Sequence, residues 1–170
     1  MNKKLETAIQ AIRKGYDVDK LTFRGEHSLL VSPAKVVEIC RQLRDNFGFN
    51  MLSSLTAVDY WPASDPRFHV VYQLYSIEDN ITLRLRALVP GENPEIPTIE
   101  EVYPNANWHE RELWDMFGIQ INGHSDLRRI LMPADWEGHP LRKDYPLGYE
   151  EVQFSFNAEE IDKKKPYVKE

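Results

Sequence analysis

The chain has a single cysteine, Cys40. An iron–sulfur cluster takes four thiolates and a disulfide takes two, so this polypeptide alone builds neither. Cys40 stands in an apolar helical pattern with Val36, Val37, Ile39 and Leu43, which is the setting of an inert core thiol. Long apolar runs are also missing. None approaches the ~18 residues needed to span a bilayer. The opening Met-Asn-Lys-Lys-Leu-Glu leads into an amphipathic segment and not into a signal-peptide core. The expected location is the cytoplasm or the cytoplasmic side of a membrane. Basic charge is in deficit, 21 Lys and Arg against 27 Asp and Glu for a net charge of −6, which argues against general nucleic-acid binding. Glycine-rich phosphate loops are absent, since Gly118, Gly123 and Gly138 are isolated and read as turns. ATP, flavin and nicotinamide sites are therefore not expected. No serine sits in a nucleophile elbow, and there are no internal repeats or low-complexity tracts.

What is present is one domain's worth of alternating pattern, 170 residues in all. Leu5, Ala8, Ile9 and Ile12 recur at helical spacing up to Gly15. Leu29 to Val31 predicts a short strand. Ser32-Pro33 predicts an N-cap and first turn for a helix ending near Gly48. Phe49 to Asp59 reads as a strand and Trp61 to Pro66 as a turn. Phe68, Val70, Tyr72 and Leu74 alternate along one strand, and Ile81, Leu83, Leu85 and Ala87 along the next, with Thr82, Arg84 and Arg86 on the opposite face. These two predict an antiparallel pair. The alternation fixes only that Arg84 and Arg86 share a face, toward water or toward a partner. Residues 90–97 read as a loop, Thr98 to Tyr103 as a short helix, and Asn105 or Asn107 as the cap of a last helix ending at Gly118. The sum is an α+β two-layer sandwich of one mixed or antiparallel sheet with helices. It occupies residues 1–148, and an extended arm follows over residues 149–170. In that arm Val152, Phe154 and Phe156 alternate before a polar end. About twenty residues at ~3.3 Å each reach roughly 65 Å, enough to dock on a neighbour.

The densest chemistry lies between Asn107 and Pro146, which holds three of the four tryptophans, three histidines and five basic residues. His109-Glu110 begins like a zinc-protease helix, but Leu113 stands where the second histidine belongs. His109, His124 and His139 recur 15 apart, without the short spacing of metal ligands. Glu110, Glu112 and Asp115 share a helix, and Glu112 with Asp115 could hold one raised pKa for acid catalysis. The simpler reading pairs Arg111 with Asp115 and gives Arg128, Arg129, Arg142 and Lys143 to the other carboxylates. Trp108, Leu113, Trp114 and Phe117 form the helix's apolar part, each worth roughly 1.5–3 kcal/mol if buried. Trp136 and Tyr145 follow in a Gly- and Pro-rich stretch. Trp, Tyr and Arg are enriched at binding hot spots, so the segment reads as an interface more than as an active site.

The run Glu110-Arg-Glu-Leu-Trp-Asp-Met-Phe-Gly118, followed by His124, Arg128, Ile130 and Leu131, resembles the signature of the C-type subunit family of respiratory complex I. This family is the 30 kDa-class chain of the proton-pumping NADH:quinone oxidoreductase. Gly138-His-Pro-Leu-Arg-Lys-Asp-Tyr-Pro146 resembles its continuation, in the right order and at compatible spacing. The order of elements extends the likeness from residue 1 to about residue 157. His124-Ser125-Asp126 departs from the family's frequent His-Pro-Asp, which relaxes one turn and keeps the charges.

The resemblance implies a cofactor-free subunit of the hydrophilic arm. It would pack against the large D-type subunit, which carries the quinone site, near the B- and I-type iron–sulfur subunits. It would meet the cytoplasmic side of the cell inner membrane only through the complex. NADH, FMN, iron–sulfur clusters and quinone are then expected in other subunits. The interface expectation covers Trp108, Glu110, Arg111, Glu112, Trp114, Asp115, Phe117, His124, Arg128, Arg129, Trp136, His139, Arg142, Lys143, Asp144 and Tyr145. Replacing Trp114 or Arg142 is expected to weaken association more than folding. Two readings compete. One is the equivalent subunit of a membrane-bound hydrogenase or of a ferredoxin- or deazaflavin-dependent complex. The other is a stand-alone metal hydrolase using His109, Glu112 and Asp115.

Overall fold

The computed structural model describes residues 3–146. The first helix, α1 (Lys3–Gly15), buries Leu5, Ala8, Ile9 and Ile12, the stripe that the three- and four-residue spacing predicts. The second starts through proline. Ser32 is extended and its hydroxyl makes no capping bond, Pro33–Lys35 form a 3-10 turn, and α2 runs over Val36–Phe47. The fixed φ of Pro33, more than a side-chain cap, begins the turn. Gly48 closes α2 in the left-handed region at φ 73°, its N–H bonded to the Leu43 carbonyl.

Five strands form one mixed sheet: β1 (Asp19–Phe23), β2 (Glu26–Val31), β3 (Met51–Asp59), β4 (Phe68–Ser76) and β5 (Ile81–Val89). Their spatial order is β1-β2-β5-β4-β3, antiparallel throughout except for the parallel pair β2 and β5. The predicted β4–β5 hairpin is present with the predicted facing. Tyr72 lies opposite Leu85 and Leu74 opposite Leu83, all four fully buried in one core with the stripes of α1 and α2. Arg84 and Arg86 lie on the other face, half-buried.

Several expectations are corrected. The strand at Leu29–Val31 begins earlier, at Glu26, and has a partner, β1, that no alternation announced. Of β1 only Lys20 is half-buried and the rest is exposed, so it lacks the one-sided burial that makes a strand legible. Its hairpin turns on Arg24 and Gly25, both at positive φ (51° and 83°), as two-residue hairpins require. The expected loop over residues 90–97 ends in strand β6 (Glu95–Pro97). The expected helix at Thr98–Tyr103 is a single turn, with the N–H groups of Val102 and Tyr103 both bonded to the Ile99 carbonyl at 2.9 Å. Asn105 stands at the N-cap of the last helix, α3 (Ala106–Phe117), as expected, but makes no side-chain capping bond. Its amide donates to the Leu52 carbonyl at 2.8 Å, and that of Asn107 donates to the Glu100 carboxylate. After α3 comes a strand not foreseen, β7 (Gln120–Asn122), parallel to β6. The alternating aromatics beyond Gly148 and the boundary placed there lie outside the described residues.

Leu43, on α2, is fully buried against this core. Leu43→Ala should cost about 2–5 kcal/mol, read as a lower denaturation midpoint at unchanged slope.

Candidate partner interface

Helix α3 carries a stripe at Ala106, Glu110, Leu113 and Phe117, all buried. Three of these suit a core and the fourth is a carboxylate. Glu110 is fully buried and accepts from the Thr98 hydroxyl at 2.6 Å and the Ile99 N–H at 2.8 Å. Burial pushes its carboxyl up, and those two donors together with His124 only partly oppose the shift. The His124 ring is sealed beside it, with Nε2 at 4.0 Å from Glu110 and 3.5 Å from Glu100. Its Nδ1 accepts the Asp126 N–H at 3.0 Å, so Nε2 bears the proton and donates to the Asn107 carbonyl at 3.1 Å. Glu100, in turn, accepts from the N–H and hydroxyl of Ser125, both at 3.0 Å. This cluster ties the loop before α3 to the start of the segment after β7.

The other end of α3 fastens the rest of that segment. Asp115 is fully buried. One of its oxygens accepts from Arg129 at 2.6 Å, and the other accepts three successive backbone N–H groups, those of Ile130, Leu131 and Met132, at 3.0, 2.8 and 2.9 Å. Burial pushes its carboxyl up, but the three amides and the guanidinium outweigh it and hold the carboxyl below its usual range. Arg129 also binds the Trp136 carbonyl at 2.7 Å and stacks 5.7 Å from the Trp114 ring centre. The last carbonyls of α3 are then filled in sequence. His139 Nδ1 lies 3.0 Å from the Asp115 carbonyl, the Leu141 N–H donates to Met116 at 3.0 Å, and Arg142 Nε donates to Phe117 at 2.5 Å. Gly118 closes the helix at φ 68°, and a Cβ there would collide with the His139 ring.

A second ion-pair system holds the far end. Arg67 is buried between Asp59, at 2.8 and 3.0 Å, and Asp144, at 2.7 and 2.9 Å. Asp59 also accepts the Lys143 N–H at 2.9 Å. Asp59 and Asp144 both sit below the usual carboxylate range. For Asp59 burial opposes the shift and loses to Arg67 and the two backbone donors, Lys143 and Trp61. Asp59 and Arg67 belong to no recognisable motif. Their one signal in the sequence is two opposite charges bounding a turn between strongly alternating strands.

The segment's residues therefore divide. Glu110, Asp115 and Phe117 are buried inside the chain and offer a neighbour no surface, which corrects their place in the expected interface. His124, Arg129, Trp136, His139, Arg142 and Tyr145 are at most half-exposed, and each makes contacts within the fold. The expected Arg111–Asp115 pair is replaced. Arg111 donates to the carbonyls of Arg128 and Arg129, both at 3.2 Å, and stacks 5.9 Å from Trp108. Trp108 is not part of the apolar face of α3 but 60% exposed. Glu112, Arg128, Lys143 and Asp144 are exposed, Arg128 pairing with Asp126 at 2.8 Å and Asp144 with Arg67. Ile130, Leu131 and Leu141, not singled out from the sequence as surface residues, are exposed at 40, 61 and 52%. Among the described residues no three of His, Cys, Asp or Glu gather as a metal site, and the Asp115 carboxylate is already committed on both oxygens.

Fold and fastened segment together define an α+β class known from solved structures. One, described as the trypsin-resistant fragment (1-134) of Nqo5 in a P63 form, is 33% identical. It covers 73% of this chain and 99% of its own length, with a TM-score of 0.63. A chain of the membrane-bound sulfane sulfur reductase, an archaeal respiratory membrane complex, shares the fold at 23% identity, with a TM-score of 0.75 over 98% of this chain and 100% of its own. The chain belongs to the family of respiratory-chain NADH dehydrogenase 30 Kd subunits, whose model matches residues 29–151. The C-type subunit of the NADH-quinone oxidoreductase of Roseiflexus sp. (strain RS-1) is 50% identical over 150 residues, covering 87% of this chain and 86% of that one. Its counterpart from Geobacter sulfurreducens is 52% identical over 130 residues, covering 76% and 80%.

Asp115→Ala would strip part-buried Arg129 of its carboxylate and three part-buried amides of their acceptor, and should cost about 3–5 kcal/mol in a denaturant titration. The pH dependence has two signs. The depressed Asp59, Asp115 and Asp144 contribute stability that is complete above the unfolded value near ~3.9 and is lost as pH falls through their lower folded values. Glu110 is raised, so its share of stability falls as pH rises from ~4.3 through its folded value. Glu110→Gln should therefore raise the thermal midpoint at pH 7 relative to wild type by more than at pH 4. An equal effect at both pH values would show that Glu110 does not titrate above its unfolded value.

Proposed function

We propose that this chain is a docking subunit of the hydrophilic arm of a proton-translocating NADH:quinone oxidoreductase. It packs against the quinone-site, D-type subunit and beside the B- and I-type iron–sulfur subunits, peripheral to the cytoplasmic side of the inner membrane. It performs no chemical step and binds no cofactor. NADH, FMN, iron–sulfur clusters and quinone belong to other subunits. The observation that carries the reading is the surface left by the fastened segment. Trp108, Ile130, Leu131 and Leu141 stay exposed on a backbone pinned by buried ion pairs, and large apolar side chains on an ordered surface mark interaction sites. Cys40 supports the cofactor-free reading, since it is fully buried and its thiol is pushed far above the usual range, the reverse of what a metal ligand needs. Identity of 50% to a relative named for NADH-quinone oxidoreductase, against 23% to the chain of the sulfane sulfur reductase, favours the quinone-reducing machine over its relatives.

The test belongs at Trp108. Trp114 and Arg142 are engaged within the fold, so their replacement would damage folding and association together. Trp108→Ala should lower retention of the chain by the larger partner on the order of tenfold or more. It should move the isolated chain's thermal midpoint by less than about 3 °C, the scale of a surface change. Unchanged retention in co-purification, or loss of folding equal to loss of retention, would count against the interface.

A further inference from the structure

The helices cover one face of the five-stranded sheet, and the other face is not bare polar surface. Across its middle runs one row, Thr56, Val71, Arg86 and Leu30, set by the strand register. Thr56 is exposed and the other three are half-buried. Arg86 Nη2 donates to the Tyr60 hydroxyl and to His69 Nδ1, both at 2.8 Å. A guanidinium cannot accept, so His69 Nδ1 is the acceptor and its proton is on Nε2. Both partners are neutral. Burial, then the charge of Arg86, holds His69 below its usual range, which keeps it uncharged. The Arg86 Nε is sealed from solvent and donates to no described group. Arg84, one pleat away, is paired with Glu26 at 2.8 Å. Among the described residues Arg86 thus has no carboxylate partner, in a chain whose net charge is −6.

A half-buried cation among Val71 and Leu30 is costly unless an anion meets it. Tyr60 and His69 hold the guanidinium in place, which lowers the ordering cost of receiving one. Val71 and Leu30 flank Arg86 in the row, Ser54, Thr56, Gln73 and the paired Arg84 line the same shallow cleft, and the one cation unpaired among the described residues suits one carboxylate carried by a protein chain. A phosphate would call for several donors at once. The face is also continuous with the fastened segment, because Tyr60 follows Asp59, the carboxylate that binds Arg67 and the Lys143 N–H.

We propose that this open sheet face is a second docking surface, on which a neighbouring subunit places an Asp or Glu carboxylate against Arg86. The proposal rests on the reading of the chain as a subunit of a larger assembly. Arg86→Lys keeps the cation and supplies an amine for zero-length coupling. The assembled complex is purified with this variant as its only copy of the chain, treated with a carbodiimide and digested for mass spectrometry. The expected product joins the introduced amine to an Asp or Glu of another subunit. A link only to Glu26, Asp19 or residues 147–170 of the same chain overturns the proposal. Thr56→Lys, an exposed change in the same row, gives a second amine with little risk to folding, and should also couple to another subunit. Coupling from neither position in an intact complex rejects the surface while leaving the Trp108 interface standing. A wild-type chain that co-purifies with no other subunit overturns both.

Discussion

The end of helix α3 is the constraint on which the rest depends. A helix leaves its last carbonyls without partners, and they must be met by water, caps or other groups. Here Gly118 meets the Trp114 carbonyl, and the groups of His139, Leu141 and Arg142 meet the next three in order. The same residues that complete the helix therefore position the stretch after it. Asp115 adds the reciprocal arrangement, one carboxylate gathering the amides of three consecutive residues that belong to no strand or helix. The irregular segment takes its order from the helix, and in turn supplies partners to three of the helix's last four carbonyls. Arg129 and Arg142 near the negative end of the helix dipole act in the same direction.

This explains why the segment stands out in the sequence and yet misleads residue by residue. The helices α1 and α2 and the β4–β5 pair are legible because each buries one side, and periodicity reports one-sided burial. Strand β1 is exposed on both sides, and β6 and β7 are three residues long, so none has a period to show. At the site, the residue types are right and the pairings wrong. Spacing matches Asp115 to Arg111 because they are four apart on a helix, but the helix turns Asp115 inward, and its cation comes from 14 residues downstream. Such long-range pairs leave no local trace. Glu110 does leave one, since it falls in register with Ala106, Leu113 and Phe117, and a carboxylate in an apolar stripe is a mark of burial.

Of the helix carboxylates weighed for acid–base chemistry, Glu110 and Asp115 are held inside the fold while Glu112 is exposed. Asp115 and Asp59 each accept several donors and sit low, and Glu110 sits high between a hydroxyl and an amide inside the core. Perturbed carboxyl groups cluster at active sites, but also in structural ion-pair networks. The two cases separate by access. A catalytic carboxyl must present a proton or a free lone pair to a substrate, whereas the oxygens of these three groups meet the chain's own amides, arginines and, at Glu110, the Thr98 hydroxyl.

The placement of charge then distinguishes scaffold from surface. Arg67 and Arg129 each have carboxylates inside the fold, and Arg84 has one at the sheet's open face. Arg142 is directed to carbonyls and lies 5.4 Å from the Phe68 ring centre. Among the described residues Arg86 is bonded only to a phenol and a neutral imidazole. In a chain with an excess of acid, no carboxylate among the described residues meets this positioned arginine. The helix-side core would stand without it, because its bonds all lie on the opposite face of the sheet. The docking proposal assigns the charge that the described residues do not supply to a neighbouring subunit.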